Sequence, residues 1–148
     1  MTVTESKQTA NDLARKCAEE MLKNDPCSTA LGMQLTDIGE GYAQMQMCIR
    51  KDMLNGHGIT HGGLIFTLTD SCFACACNSR NQSTVAQSCV IDFIRPSYRD
   101  DVLTANAKET SLAGKNGIYD IVVTNQNGET IAHFRGKSRA IRGTIINN

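Results

Sequence analysis

The sequence predicts an α+β fold: one long central helix wrapped by a curved antiparallel β-sheet, with an extra N-terminal helix. Three observations predict it. Residues 62–78 form an apolar stretch of helical length without proline. Strand-like segments lie on both sides of that stretch instead of alternating with further helices, which separates α+β from α/β organisation. Asn116-Gly117 and Asn127-Gly128 are dipeptides that accept positive φ in tight hairpin turns, and they divide the second half of the chain into antiparallel strands.

The elements follow in order. Residues 9–23 place Ala10, Leu13, Ala14, Cys17, Ala18, Met21 and Leu22 on a 3.6-residue period, an amphipathic helix that Asp25-Pro26 closes. From Leu31 to Ile38 the pattern shortens to that of a strand, and Gly39-Glu40-Gly41 turns the chain. Residues 42–50 alternate, with Ala43, Met45, Met47 and Ile49 on one face. A glycine-rich loop at 53–63 leads into the central helix at 62–78. Strands are expected at about 84–95, 102–113, 117–126 and 129–141.

Composition narrows the functional classes. At 148 residues the chain is read as one domain, 1–148. Fifteen basic and fifteen acidic residues give a net charge of zero, which argues against a polyanion-binding or polybasic membrane protein, so neither nucleic acid nor membrane is expected as a partner. The zero hides an asymmetry: residues 1–74 carry 6 bases and 9 acids, and residues 75–148 carry 9 and 6. The N-terminal stretch lacks an apolar signal core, and no stretch approaches the roughly 18 apolar residues of a membrane span, so a soluble, cytoplasmic protein is expected. The seven cysteines are an odd count and are read as reduced thiols. Tryptophan is absent, so the core falls to Leu, Ile, Val, Met, Ala and Cys.

Chemistry concentrates on the central helix, which is nearly all apolar yet carries Asp70 in its middle. A buried carboxylate is costly unless it is paired or used. At 100° per residue Asp70 lies about 20° from Gly63, on the stripe that also holds Phe66, Thr67 and Cys77. The helix start, His61-Gly62-Gly63, presents backbone N–H groups with no intrahelical partner, and glycine lets a ligand approach them closely. Donors for an oxyanion together with a carboxylate suit hydrolysis of an activated acyl group, and Asn55 in the same loop can orient water or carbonyl. Seven residues at 1.5 Å separate Gly63 from Asp70 by about 10 Å along the axis, too far for one carbonyl to reach both. The two groups should therefore come from two chains whose central helices run antiparallel across a two-fold axis, which predicts an obligate dimer with shared sites.

Other readings compete. Asp70 can be a structural acid bonded to Ser71 or a strand backbone, and His61-Gly62-Gly63 can be a tight turn alone. His57 and His61 followed by Cys72, Cys75 and Cys77 resemble a zinc or redox set, although Cys72 and Cys75 fall deep inside the helix rather than on turns. Arg135, Lys137 and Arg139 alternate on one strand face, with Lys115 in a hairpin turn and Arg95 at a strand end able to join them. This set suits either a polyphosphate or a charged edge that discourages strand addition.

The stretch from Asn55 to Asp70, with LNGH at 54–57, ACN at 76–78, DFIRP at 92–96, GIYDI at 117–121 and FRGKS at 134–138, resembles the hotdog-fold acyl-CoA thioesterases, in particular the phenylacetic acid degradation (PaaI) group. The resemblance spans roughly residues 30–143. It implies a helix wrapped by a sheet, paired into homodimers and commonly into dimers of dimers. It further implies that Asp70 is the base or nucleophile, that the Gly63 amide of the other subunit polarises the carbonyl, that Asn55 positions substrate or water, and that His61 supports the loop. Ser88 lies near where relatives place an assisting hydroxyl. No cofactor or metal is required. Coenzyme A enters as part of the substrate, its phosphates against Arg95, Lys115, Arg135 or Lys137, and phenylacetyl-CoA and hydroxyphenylacetyl-CoA are the expected substrates. A non-catalytic acyl-CoA-binding domain is the alternative, with the zinc or redox reading behind it.

Overall fold

The computed structural model describes residues 3–147. Helix α1 (Val3–Lys23) precedes a short helix α2 (Pro26–Ala30). Strands β1 (Gln34–Gly39) and β2 (Tyr42–Cys48), a 3-10 turn (Lys51–Met53) and the long helix α3 (Gly62–Cys77) follow. The chain ends in β3 (Thr84–Phe93), β4 (Val102–Ala113), β5 (Asn116–Thr124) and β6 (Thr130–Ala140). The six strands form one antiparallel sheet in the order β1-β2-β4-β5-β6-β3. The sheet is curved and does not close into a barrel, and α3 lies against its inner face.

Period-two alternation decides what α3 meets. Ala43, Met45 and Met47 of β2, Leu103, Ala105 and Ala107 of β4, Tyr119, Ile121 and Val123 of β5, and Ala132 and Phe134 of β6 are all buried. They receive Ile65, Leu68, Cys72, Phe73 and Ala76 of α3. Helix α1 adds a narrower apolar stripe, Ala14, Cys17 and Ala18.

Helix α3 is fixed at both ends. His61 is its N-cap. At the other end the buried Asn78 donates from Nδ2 to the carbonyls of Ala74 and Thr84, both at 2.9 Å, and accepts from the Thr84 N–H at 2.8 Å. One side chain thus stops the helix and launches β3. Beyond it, Arg80 bridges Glu109 and Glu40, and the Tyr119 hydroxyl donates to Glu109 at 2.7 Å.

Four local expectations shift. The segment read as a strand from Leu31 begins only at Gln34, because Asp25 caps α2 by accepting from the Ser28 N–H at 2.9 Å and the chain is still leaving that helix at 31–33. Asp25-Pro26 therefore opens a helix as well as closing one, Pro being favoured in the first helical turn. Helix α1 starts earlier than residue 9. The β4–β5 hairpin turns at Gly114-Lys115, with Gly114 at φ +59° and Ala113 paired with Asn116, so Asn116-Gly117 lies inside β5. Gly117 is a glycine for a different reason: a β-carbon there would stand 2.6 Å from Ser138 Oγ and 2.8 Å from the Tyr119 ring. Gly128 does take positive φ, +76°, in the β5–β6 turn as expected.

Strand β3 forms one border of the sheet, its second edge unpaired among the described residues, and it is the least covered strand. Val85 and Val90 are exposed on its outer face, and Phe93 and Ile94 are exposed at its end. A long edge strand with apolar side chains is a template for pairing with another chain.

Candidate active site

The loop before α3 is held shut by its own backbone. Asn55 N–H donates to the Ile59 carbonyl at 2.9 Å and the Gly58 N–H returns to the Asn55 carbonyl at 3.0 Å, with Gly58 at φ +75°. The Asn55 side-chain oxygen accepts from the His57 N–H at 2.9 Å, which points its oxygen into the turn and leaves the amide NH2 as the group it can offer a ligand. Below the loop the buried hydroxyls of Thr60 and Ser97 satisfy each other at 2.7 Å. A cleft of 460 Å³ opens between this loop, the start of α3 and the end of β3, lined by Asn55, Ile59, Gly62, Ile65, Phe93 and Arg95 among others.

The helix start departs from expectation in one atom. The Gly63 N–H, anticipated as the donor to a carbonyl, donates at 3.1 Å to Nδ1 of His61. Gly62 is the first residue of the helix, its N–H has no partner among the described residues, and it lines the cleft as Gly63 does not. The sequence carries two adjacent glycines and no signal to tell which amide is spare, because the choice depends on where the His61 ring folds back.

Asp70 sits half-buried two turns further on, and no hydrogen bond or ion pair reaches its carboxylate among the described residues. Burial alone holds its carboxyl above the ordinary carboxylate range. The structural alternative fails on its named partner: the Ser71 hydroxyl is engaged with Ser28 at 3.0 Å. Asp70 faces the edge strand, where burial first and the Asp70 charge second push the Cys89 thiol up. An unpaired carboxylate in partial desolvation is a competent base or nucleophile. It does not line the cleft that holds Gly62, and eight residues along a helix is about 12 Å.

Ser88 lies on the outer face of the sheet, away from the Asp70 of its own chain. It pairs with Lys137 on the outer face, with Gln87 bulging out of register beside it, whereas Cys89 and Ile91 are the β3 residues that pack towards the helix. A one-residue offset in a strand moves a side chain to the opposite face, and a bulge is hard to locate from sequence. Ser88 instead lines an outer groove of 710 Å³ with Val90, Asp92, Asp120, His133, Arg135 and Lys137.

The four basic residues anticipated for phosphate do not meet within one chain. Arg135 is committed to Asp120 by two hydrogen bonds of 2.7 Å. Lys137 shares its outer groove, Lys115 sits at the β4–β5 turn, and Arg95 stands at the cleft, its guanidinium donating to the Thr130 carbonyl at 3.3 Å. The zinc or redox set is likewise dispersed. Cys72 and Cys75 are buried in α3, the Cys72 thiol lying 3.4 Å from the Ala43 and Ala105 carbonyls, while His57 and His61 are exposed on the loop. Burial pushes the Cys75 thiol up to about 12, the reverse of what a metal ligand or redox thiol needs. No group of three or more His, Cys, Asp or Glu placed to hold a metal occurs among the described residues.

Known proteins share this family and fold. The family model described as the thioesterase superfamily matches residues 57–132, which include the helix start, Asp70 and β3. The acyl-coenzyme A thioesterase PaaI of Escherichia coli K12 is 46% identical over 128 residues, 86% of this chain and 91% of that protein. The solved structure of the E. coli PaaI protein from the phenylacetic acid degradation operon superposes with a TM-score of 0.89 over 90% of this chain and 97% of that one, at 44% identity. A single-residue mutant of the phenylacetic acid degradation protein PaaI from Thermus thermophilus superposes with a TM-score of 0.76 at 34% identity, over 79% of this chain and all of that one. The unpaired carboxylate on the central helix, the spare amide at that helix's start and these likenesses agree: the chain belongs to the thioesterase superfamily, in its hotdog fold, and is a thioester hydrolase.

Proposed function

We propose that the protein hydrolyses acyl-coenzyme A thioesters, with arylacetyl groups such as phenylacetyl and hydroxyphenylacetyl as the acyl part, and that it does so as a homodimer. The observation that carries the reading is Asp70, a half-buried carboxylate without a partner on the helix whose first amide is spare. The thioester oxygen accepts from the Gly62 N–H at the positive end of α3, where charge developing on that oxygen is stabilised. Asp70 either takes a proton from water as water attacks the carbonyl carbon and the thiolate of coenzyme A leaves, or attacks that carbon itself, expelling the thiolate and forming an anhydride that water then hydrolyses to free acid and the Asp70 carboxylate. Asn55 orients the carbonyl or the water through its amide NH2, and His61 holds the loop. Arg95 at the cleft rim is the best placed of the four cations to meet a phosphate, since Arg135 is already paired. Lys115 and Lys137 are within this reading only as surface charge along the coenzyme's path.

The separation of Gly62 from Asp70 along one helix supports a site built by two chains, and the unpaired edge of β3 offers the place for them to join. Release of free thiol over a panel of acyl-coenzyme A esters tests the reaction, with arylacetyl esters expected to lead. Ligand-induced thermal stabilisation without turnover would instead identify a binding domain. Co-refolding Asp70→Asn with Asn55→Ala chains tests the shared site. If Asp70 and Asn55 serve one substrate from opposite chains, mixed dimers hold one intact site and activity returns. If both act from one chain, every site keeps a lesion and activity stays lost.

A further inference from the structure

We propose that Phe93 sets the acyl specificity of this enzyme, its ring forming the wall against which a flat arylacetyl group lies at the start of α3. The inference rests on the thioesterase reading above and adds the residue that selects the substrate.

Phe93 ends β3 on the register that faces the helix, two residues beyond Ile91, which is packed against the core. Unlike Ile91, Phe93 is 54% exposed. The far end of the ring reaches across to the helix start, where a β-carbon on Gly62 would stand 2.9 Å from Cζ, 3.3 Å from Cε1 and 3.5 Å from Cε2. Only a glycine admits the ring that close, so residue 62 accommodates Phe93 as well as presenting its N–H. The aromatic wall and the spare amide are thereby held side by side. A carbonyl on that amide puts the first atoms of its acyl chain next to the ring.

The rest of the cleft has little else with which to discriminate. Thr60 and Ser97 satisfy each other. Ile59, Ile65, Ile94 and Pro96 give aliphatic walls, and at 460 Å³ the space is large enough for a small acyl group in any of several poses. Aliphatic walls favour apolar groups without regard to flatness. A ring favours another ring in an offset or edge-to-face arrangement, so Phe93, the aromatic residue of this lining and the one beside the spare amide, distinguishes an aryl from an alkyl acyl group of equal carbon count.

The test is the ratio of kcat/KM for phenylacetyl-coenzyme A to that for octanoyl-coenzyme A, in the parent protein and in Phe93→Ala, Phe93→Leu and Phe93→Tyr. Removing the ring is expected to lower the ratio about ten-fold in Phe93→Ala, the scale of a lost pocket contact. Phe93→Leu should also lower it and Phe93→Tyr should preserve it. If Phe93→Ala fails to fold, the Leu and Tyr pair decides, since both retain bulk. A parent that releases thiol, with a ratio unchanged within two-fold in the Ala or Leu variant, overturns the role of Phe93 and leaves the thioesterase reading standing. A parent that releases no thiol from either ester overturns both.

Discussion

Replacing Asp70 by Asn is expected to cut thioester hydrolysis by about 10²–10⁴-fold while leaving the fold intact. The change keeps the shape of the side chain and removes the charge, and no hydrogen bond or ion pair among the described residues depends on that charge. Turnover near the parent level in a thiol-release assay would remove Asp70 from the mechanism. The parent's pH–rate profile carries a related signature. Burial holds the Asp70 carboxyl above the ordinary carboxylate range, and the ionised form is the reactive one, so the ascending limb should lie at higher pH than a free aspartate would give.

The same substitution has an opposite effect on stability. A carboxyl whose folded-state pKa is raised binds its proton more tightly in the folded chain than in the unfolded one. Its contribution to stability is therefore largest below the unfolded value and is lost as pH rises through the folded value. At neutral pH the ionised Asp70 is thus a cost, and Asp70→Asn should melt at a higher temperature than the parent, the gap closing in acid. A lower Tm at pH 7 would show that the carboxylate is held by a bond. Stability given up at a reacting group is a common feature of enzymes.

The elements that one-dimensional patterns encode were legible in the sequence. Alternation on β2 identified Ala43, Met45 and Met47 as core, and the length of the apolar stretch gave α3 within one residue of its observed end. What escaped depends on relations between elements. The turn expected at Asn116-Gly117 lies at Gly114-Lys115, where Gly114 takes φ +59°, and Gly117 is a glycine because Ser138 on β6 and Tyr119 on β5 crowd its position, a constraint no dipeptide rule contains. The outward face of Ser88 follows from the bulge at Gln87, which sequence alone does not locate. Which of the two glycine amides is spare turns on one hydrogen bond, donated by the Gly63 N–H to the His61 ring. Arg135 sits among other bases in sequence, and its ion-pair partner Asp120 lies opposite it on the neighbouring strand β5, a pairing that needs the strand register.

Phe73→Ala should be the most destabilising single truncation considered for this molecule, about 3–5 kcal/mol. The ring is 1% exposed in the middle of α3, and its centroid lies 5.4 Å from that of Tyr119 and 6.1 Å from that of Phe134. It stands over Gly136 of β6, where a β-carbon would meet Cε1, Cζ and Cε2 at 2.8, 2.8 and 2.9 Å. A large residue on the helix and an absent side chain on the strand are therefore one packing unit. Gly136→Ala alone should cost about 1–3 kcal/mol by overpacking a ring that other aromatics hold in place. In the Phe73→Ala background the added methyl occupies part of the space the ring vacated, so the double variant should be more stable than the sum of the single losses. Urea unfolding at one fixed protein concentration checks this, since any association of chains makes apparent stability depend on concentration. Additive losses would mean that the ring and the glycine do not share a space. Phe73 follows Asp70 by three residues on the same helix side, so losing the ring loosens the packing under the turn that carries Asp70. Phe73→Ala should for that reason lose activity at temperatures where the chain is still folded, whereas the double variant should retain more of it.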